Sequence, residues 1–264
     1  MSTVAKLDVV VGLDSGPLDQ GLKDTRSKVE KENRNWGQTF KDVGTKFTLG
    51  VTTPVVGGFG MMISMASDQN EAMSAVETVY GDASASIIKA SEMSAKSVGM
   101  SQAEFLSGAA TLGVYANSAG FAGDAASQFG QDILGAAADM ASFYNADPSE
   151  TLQAIESGLM GEAEPLRKYG ILLNDATVNQ YAWTHGIAAS GEELTDQQKV
   201  AARYGYIMEN MGAAQGDFSR TSGGLANQLR ILKARFKDLA AQFGRYLLPM
   251  TLKWANGAQK LIGW

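Results

Sequence analysis

Residues 225–243 read LANQLRILKARFKDLAAQF. Leu225, Leu229, Leu232, Phe236, Leu239 and Phe243 recur at alternating intervals of four and three, the heptad spacing that lays one apolar stripe along a helix. Arg230, Lys233, Arg235, Lys237 and, just beyond, Arg245 occupy its other faces. Two arrangements satisfy this pattern. The stripe packs on helices of its own chain and leaves a solvated basic face, or it forms a seam with another chain. Pro249 is expected to end or kink the helix, because proline has no N–H and crowds the preceding turn.

Upstream, the sequence is punctuated like a series of helices. Ile87, Ser91, Ser94 and Val98 share a face, and Gly99 closes that segment. Ser101 with Glu104 has the spacing of a capping box, in which hydroxyl and carboxylate each satisfy an orphan amide. Phe105, Ala109, Leu112 and Ala116 follow on one face, then Phe129, Ile133, Ala136, Met140 and Phe143 on the next helix. Asp147 and Pro148 start another, with Leu152, Ile155 and Leu159 inward. Thr195 and Gln198 cap a further one, striped by Val200, Tyr204, Ile207 and Met211. Abundant alanine and glycine let such helices approach closely.

The N-terminal part differs. Ala5, Leu7, Val9, Val11 and Leu13 alternate with their neighbours, the period of a half-buried strand. After a Ser15-Gly16-Pro17 helix start, Leu22, Val29, Trp36 and Val43 recur every seven residues. Residues 47–66, FTLGVTTPVVGGFGMMISMA, carry no charge. Their length would allow a membrane span, but Pro54 and four glycines interrupt it. The expectation is a buried loop followed by a helix from about Gly60. Val55, Val56, Phe59, Met62 and Ile63 are the residues that would enter a membrane if the segment is membrane-active.

The fold class expected is therefore mainly α: a multi-helix bundle with a short N-terminal β-strand and a long C-terminal heptad-patterned helix. Charge divides the 264 residues in the same places. Residues 1–46, the strand and first long helix, hold 8 basic and 7 acidic residues. Residues 47–216, the helical body, hold 6 and 19, and residues 217–264, the C-terminal helix, hold 8 and 2.

Composition excludes much chemistry. There is no cysteine, so disulfides, thiol nucleophiles and thiolate metal sites are out. The single histidine, His185, sits at a helix end, where it is expected to cap carbonyls. A net charge of −6 argues against a sequence-specific nucleic-acid binder. The first residues have no signal-peptide pattern, which points to synthesis in a cytoplasm. No phosphate-binding loop or nucleophile elbow is present. Glu162 and Glu164 are the carboxylate pair a hydrolase would need. They lie two apart beside Pro165 and before Arg167 and Lys168, as acids do at a helix start. The reading is of a protein without catalytic, cofactor or metal residues.

Several stretches together resemble the core of phage tail tape-measure proteins. They are Asp147-Pro148-Ser149-Glu150-Thr151-Leu152 and the run from Gly158-Leu159-Met160-Gly161-Glu162 through Pro165-Leu166-Arg167-Lys168-Tyr169-Gly170 to Leu173. Leu194-Thr195 with Gln198-Lys199-Val200-Ala201-Ala202-Arg203-Tyr204 follows. Gly216-Asp217-Phe218-Ser219-Arg220-Thr221, Leu225-Ala226-Asn227-Gln228, and Gly244 with Leu247-Leu248-Pro249 complete the order. Asp14, Gly21-Leu22 and Thr53-Pro54 resemble the family's opening.

The resemblance implies a structural role. The chain would be a homo-oligomer in the tail tube lumen of a virion, setting tube length and leaving when DNA is ejected. Its partners would be tail tube and distal tail proteins and tail assembly chaperones. Members of the family usually continue for hundreds of residues after the Leu247-Leu248-Pro249 motif, so the resemblance implies either a fragment of a longer parent chain, the favoured expectation, or a protein serving a very short tail. The rival expectations are a membrane-active helical protein and a cell-wall hydrolase.

Overall fold

The computed structural model describes residues 53–262, with the side chains of residues 59–249. The chain divides into two compact units, Met1–Gly57 and Gly58–Trp264. The alternating segment 5–13, the heptad run 18–47 and the side chains of Val55 and Val56 lie outside the described residues. Among the described residues the protein is mainly helical and has no strand. Residues 217–264 belong to the same unit as the acidic body.

The first described helix, α1, spans Thr53–Tyr80. This corrects the expectation of a loop before Gly60. Pro54 falls in its first turn, where a missing N–H leaves no intrahelical bond unmade. A 3-10 turn at Gly81–Ala83 leads to α2, Ser84–Ser91, and the short α3, Ser94–Ser97. The single helix expected over 87–98 is thus broken at Glu92-Met93. The Met93 amide bonds the Ala90 carbonyl, a tightened turn, and the Ser94 hydroxyl donates to the Met100 carbonyl at 2.9 Å. All four residues of the expected face are nevertheless buried.

Helix α4, Gln102–Ser118, starts at the Ser101–Glu104 capping box read from the sequence, and both reciprocal bonds are present. Helix α5, Gly123–Phe143, is the centre of the unit. It packs on α4 and on α6, Pro148–Met160. Ala126, Phe129, Ile133, Leu134, Ala136, Ala137, Ala138, Met140 and Ala141 are all buried, which leaves little of its circumference to water. Alanine makes this feasible, because helices can approach on several sides at low cost in side-chain entropy. Phe143 is the exception in the expected stripe and is half exposed.

Asp147 caps α6 through the Ser149 amide, with Pro148 in its first turn. The helix ends at left-handed Gly161. The short α7, Glu164–Arg167, follows, then α8, Asp175–Thr184, and α9, Asp196–Glu209, whose Thr195–Gln198 capping box is formed. Leu166, Tyr169, Ile171 and Leu173 are buried, so the turn from 158 to 173 is a packed joint.

The Gly216–Thr221 motif contains α10, Asp217–Arg220, held against α5. Asp139 of α5 accepts the amides of Gly216 at 2.6 Å and Phe218 at 3.1 Å, while Phe218 is buried. Gly216 sits at φ +75°, a conformation that other residues adopt only with strain. Helix α11, Leu225–Ile262, continues past Pro249, so the proline does not end it. Pro249 is exposed, and the carbonyl it leaves unbonded within the helix can be satisfied by water.

Candidate assembly surface

Helix α11 packs on the unit by its polar side. Asn227 is buried, and its amide donates to Ser142 Oγ at 2.8 Å and Thr221 Oγ1 at 2.9 Å. The Arg230 guanidinium bonds the carbonyls of Ala141 at 3.2 Å and Ala146 at 3.0 Å, at the C-terminal end of α5. Asp238 accepts the Gln102 amide at 2.7 Å, at the first residue of α4. Lys237 pairs with Glu104, and Lys233 lies 3.8 Å from Asp147. Between these polar anchors, Ile231, Ala234 and Ala241 are buried.

Those anchors perturb the two carboxyls involved. Burial pushes Glu104 up, but bonds from Lys237 and Ser101 outweigh it and hold the group below its ordinary value. Burial also pushes Asp238 up, and there it prevails over the Gln102 amide and Lys237.

The last contact is steric. A Cβ placed on Gly244 would lie 1.9 Å from the Met62 carbonyl oxygen of α1, so α1 and α11 cross there almost backbone to backbone. Ala66 of α1 is fully buried.

The opposite side of α11 carries the stripe. Leu225, Leu229, Leu232, Phe236, Leu239 and Phe243 are 48–77% exposed. Spaced by three and four on one continuous helix, they form a single apolar face directed to solvent. The arrangement in which they pack into their own core with a solvated basic side is the reverse of what the structure contains. Four of the charged side chains, Arg230, Lys233, Lys237 and Asp238, instead serve contacts within the chain. Tyr246, 79% exposed, extends the face by one more step of three. The stripe expected from the sequence ends at Phe243, although the same interval leads on to Tyr246.

The uncharged segment behaves differently. Phe59 and Met61 are exposed, while Met62 and Ile63 are half-buried. Among the described residues no helix is long and apolar enough to cross a membrane.

The candidate chemistry is scattered. Glu162 and Glu164 are both exposed, the second in the first turn of α7. His185 stacks on Tyr181, and its Nδ1 lies 2.9 Å from the Tyr181 carbonyl, a cap on the end of α8. Its Nε2 is 3.6 Å from Glu209. The acid that sequence reasoning missed is Glu156 of α6, which burial pushes up to about 7. It lines an open groove with Asp68 and Glu71 of α1 and Glu104 of α4. No nucleophile paired with a base accompanies it there, and no group of three or more potential metal ligands occurs among the described residues.

The chain matches no protein-family model, no curated protein and no solved structure.

Proposed function

We propose that this chain is a non-catalytic structural component of a phage tail, of the tape-measure kind. It acts in tube assembly, length determination and genome delivery, and it associates with itself through α11. The observation that carries the reading is the inverted helix: charged side chains hold it to the body while the apolar stripe faces outward. Contiguous apolar surface of this kind marks an interaction site rather than a solvated face. The motif order from residue 147 to 249, and its resemblance to tape-measure cores, supplies the tail setting. Tail tube and distal tail proteins and assembly chaperones are then the partners, and the virion's tail lumen is the location.

The test is a double substitution, Leu232→Asp with Leu239→Asp. Both side chains are about half exposed, so the folded monomer tolerates them within roughly 1 kcal/mol. The parent is expected to be oligomeric by sedimentation, and the variant a monomer with unchanged helical signal. A monomeric parent, or a variant that unfolds, would overturn the assembly reading. For the tail setting, disrupting the coding sequence in its phage should abolish normal tails, and intact tails of normal length would overturn it.

A further inference from the structure

The exposed face of α11 has a size pattern that complements itself when one copy is reversed. In order it reads Leu225, Leu229, Leu232, Phe236, Leu239, Phe243, Tyr246. If two copies lay parallel and in register, each residue would meet its own kind. Three layers would then hold two aromatic rings and the others two leucines, an uneven filling that strains one set or leaves gaps in the other. With one copy reversed about an axis between Phe236 and Leu239, the layers even out. Phe236 meets Leu239 of the second copy, Phe243 meets its Leu232, and Tyr246 meets its Leu229. Every one of these six layers then holds one ring and one leucine.

We infer that two copies of the free protein pair antiparallel through α11, with the two-fold axis between Phe236 and Leu239. The inference rests on the reading of this face as a self-association surface and adds its orientation and register. A two-fold axis of this kind makes one patch serve both partners.

Charge and area agree with a second copy as occupant. The cations flanking the stripe are Lys233 and Arg235, and in this register they face Ala240 and Gln242 of the other copy. No like charges are brought together. Arg230 and Lys237, the cations nearest the stripe's middle on the other side, are held by the body, and Lys233 itself lies 3.8 Å from Asp147 of its own chain. The three aromatic residues are 54–79% exposed and leave roughly 300–500 Å² to bury, since a full aromatic side chain contributes about 150–250 Å². The four leucines bring the face to roughly 600 Å² per copy, near the about 800 Å² per partner of a standard interface.

The chain has no cysteine, so single introduced cysteines can be spin-labelled cleanly. Ala226→Cys and Gln242→Cys alter exposed positions on either side of the axis. At 1.5 Å rise per residue, antiparallel pairing separates the two 226 sites by about 35 Å along the axis and the two 242 sites by about 14 Å. The full-length labelled dimers should therefore show pulsed dipolar distances that differ by about 20 Å. A dimer with equal distances at the two sites overturns the antiparallel register and leaves the self-association reading standing. A parent that sediments as a monomer overturns both, and directs attention to a different occupant, such as an acidic amphipathic helix of another protein. A dimer that Phe236→Asp fails to weaken shows pairing through a different surface and also overturns the inference.

Discussion

The crossing of α1 and α11 allows one substitution to be predicted with opposite signs at two sites. In Gly244→Ala, the new Cβ would sit 1.9 Å from the Met62 carbonyl oxygen, 2.5 Å from its carbon and 2.9 Å from the Ala66 Cβ. Two of these atoms are backbone, so no side chain can swing aside. Ordinary contact begins near 3.4 Å, and the helices must part by about 1.5 Å to restore it. That loosens the packing around Ala66 and Ala241, both buried. Overpacking of this kind costs about 1–3 kcal/mol, and a backbone clash belongs at the upper end. Replacing a helical glycine returns up to about 1 kcal/mol of chain entropy. The net expectation is destabilisation by about 2 kcal/mol. In Gly135→Ala, within α5, the new Cβ meets nothing within 4 Å. Only the entropy term remains, so stability should rise by up to about 1 kcal/mol. Urea unfolding of the full chain reads both as midpoint shifts at constant slope. If Gly244→Ala proves as stable as the parent, the close crossing and the register of α11 on α1 are wrong.

Three further outcomes can be checked on the same chain. Glu156 has a folded-state pKa raised by burial to about 7, above its unfolded value, so folding takes up a proton and stability is lost as pH rises from about 4.5 to about 7. Glu156→Gln should remove that slope and raise stability above pH 7 by roughly 1–3 kcal/mol, discounted for its partial exposure; an unchanged pH profile would refute the burial. Asp139→Ala removes the acceptor for two backbone amides of the Gly216–Thr221 turn, and thermal unfolding should show a loss of about 2 kcal/mol. Glu162→Gln with Glu164→Gln should change stability by only tenths of a kcal/mol, and loss of a peptidoglycan-clearing activity in a zymogram would contradict the structural reading of that turn.

Local signals carried much of the fold. The capping pairs Ser101–Glu104 and Thr195–Gln198 form as spaced, because a cap needs only residues three apart and no knowledge of the rest of the chain. Stripes such as Phe105, Ala109, Leu112 and Ala116 are buried as their period implies. Where the sequence misled, a distant partner decides. The glycines after Pro54 suggested a loop, yet α1 continues through them. The break at Glu92-Met93 depends on Ser94 finding the Met100 carbonyl. Glu156 has no unusual neighbour in sequence, and the residues of α1 and α4 that line the groove with it are distant along the chain. The Gly216–Thr221 motif was visible as a pattern, but its anchor, Asp139, lies 77 residues away from Gly216.

The orientation of α11 was the larger ambiguity, and helix ends explain how it is resolved. An amphipathic sequence states that two faces differ, not which one its own fold receives. Here the body offers α11 the C-terminal end of α5 and the N-terminal end of α4, each with backbone groups that lack partners inside their helices. Arg230 supplies a cation and donors to the first, and Asp238 an acceptor to the second, each matched to the sign of the helix dipole it meets. A leucine face set against those ends would have removed the acceptor of the Gln102 amide and the guanidinium donors to the Ala141 and Ala146 carbonyls, at about 1–3 kcal/mol for each group left buried and unbonded. The charged side of α11 is therefore the side this body can hold. Once it is held there, the helical spacing directs Leu225 to Tyr246 away from the body, and their burial requires a second surface.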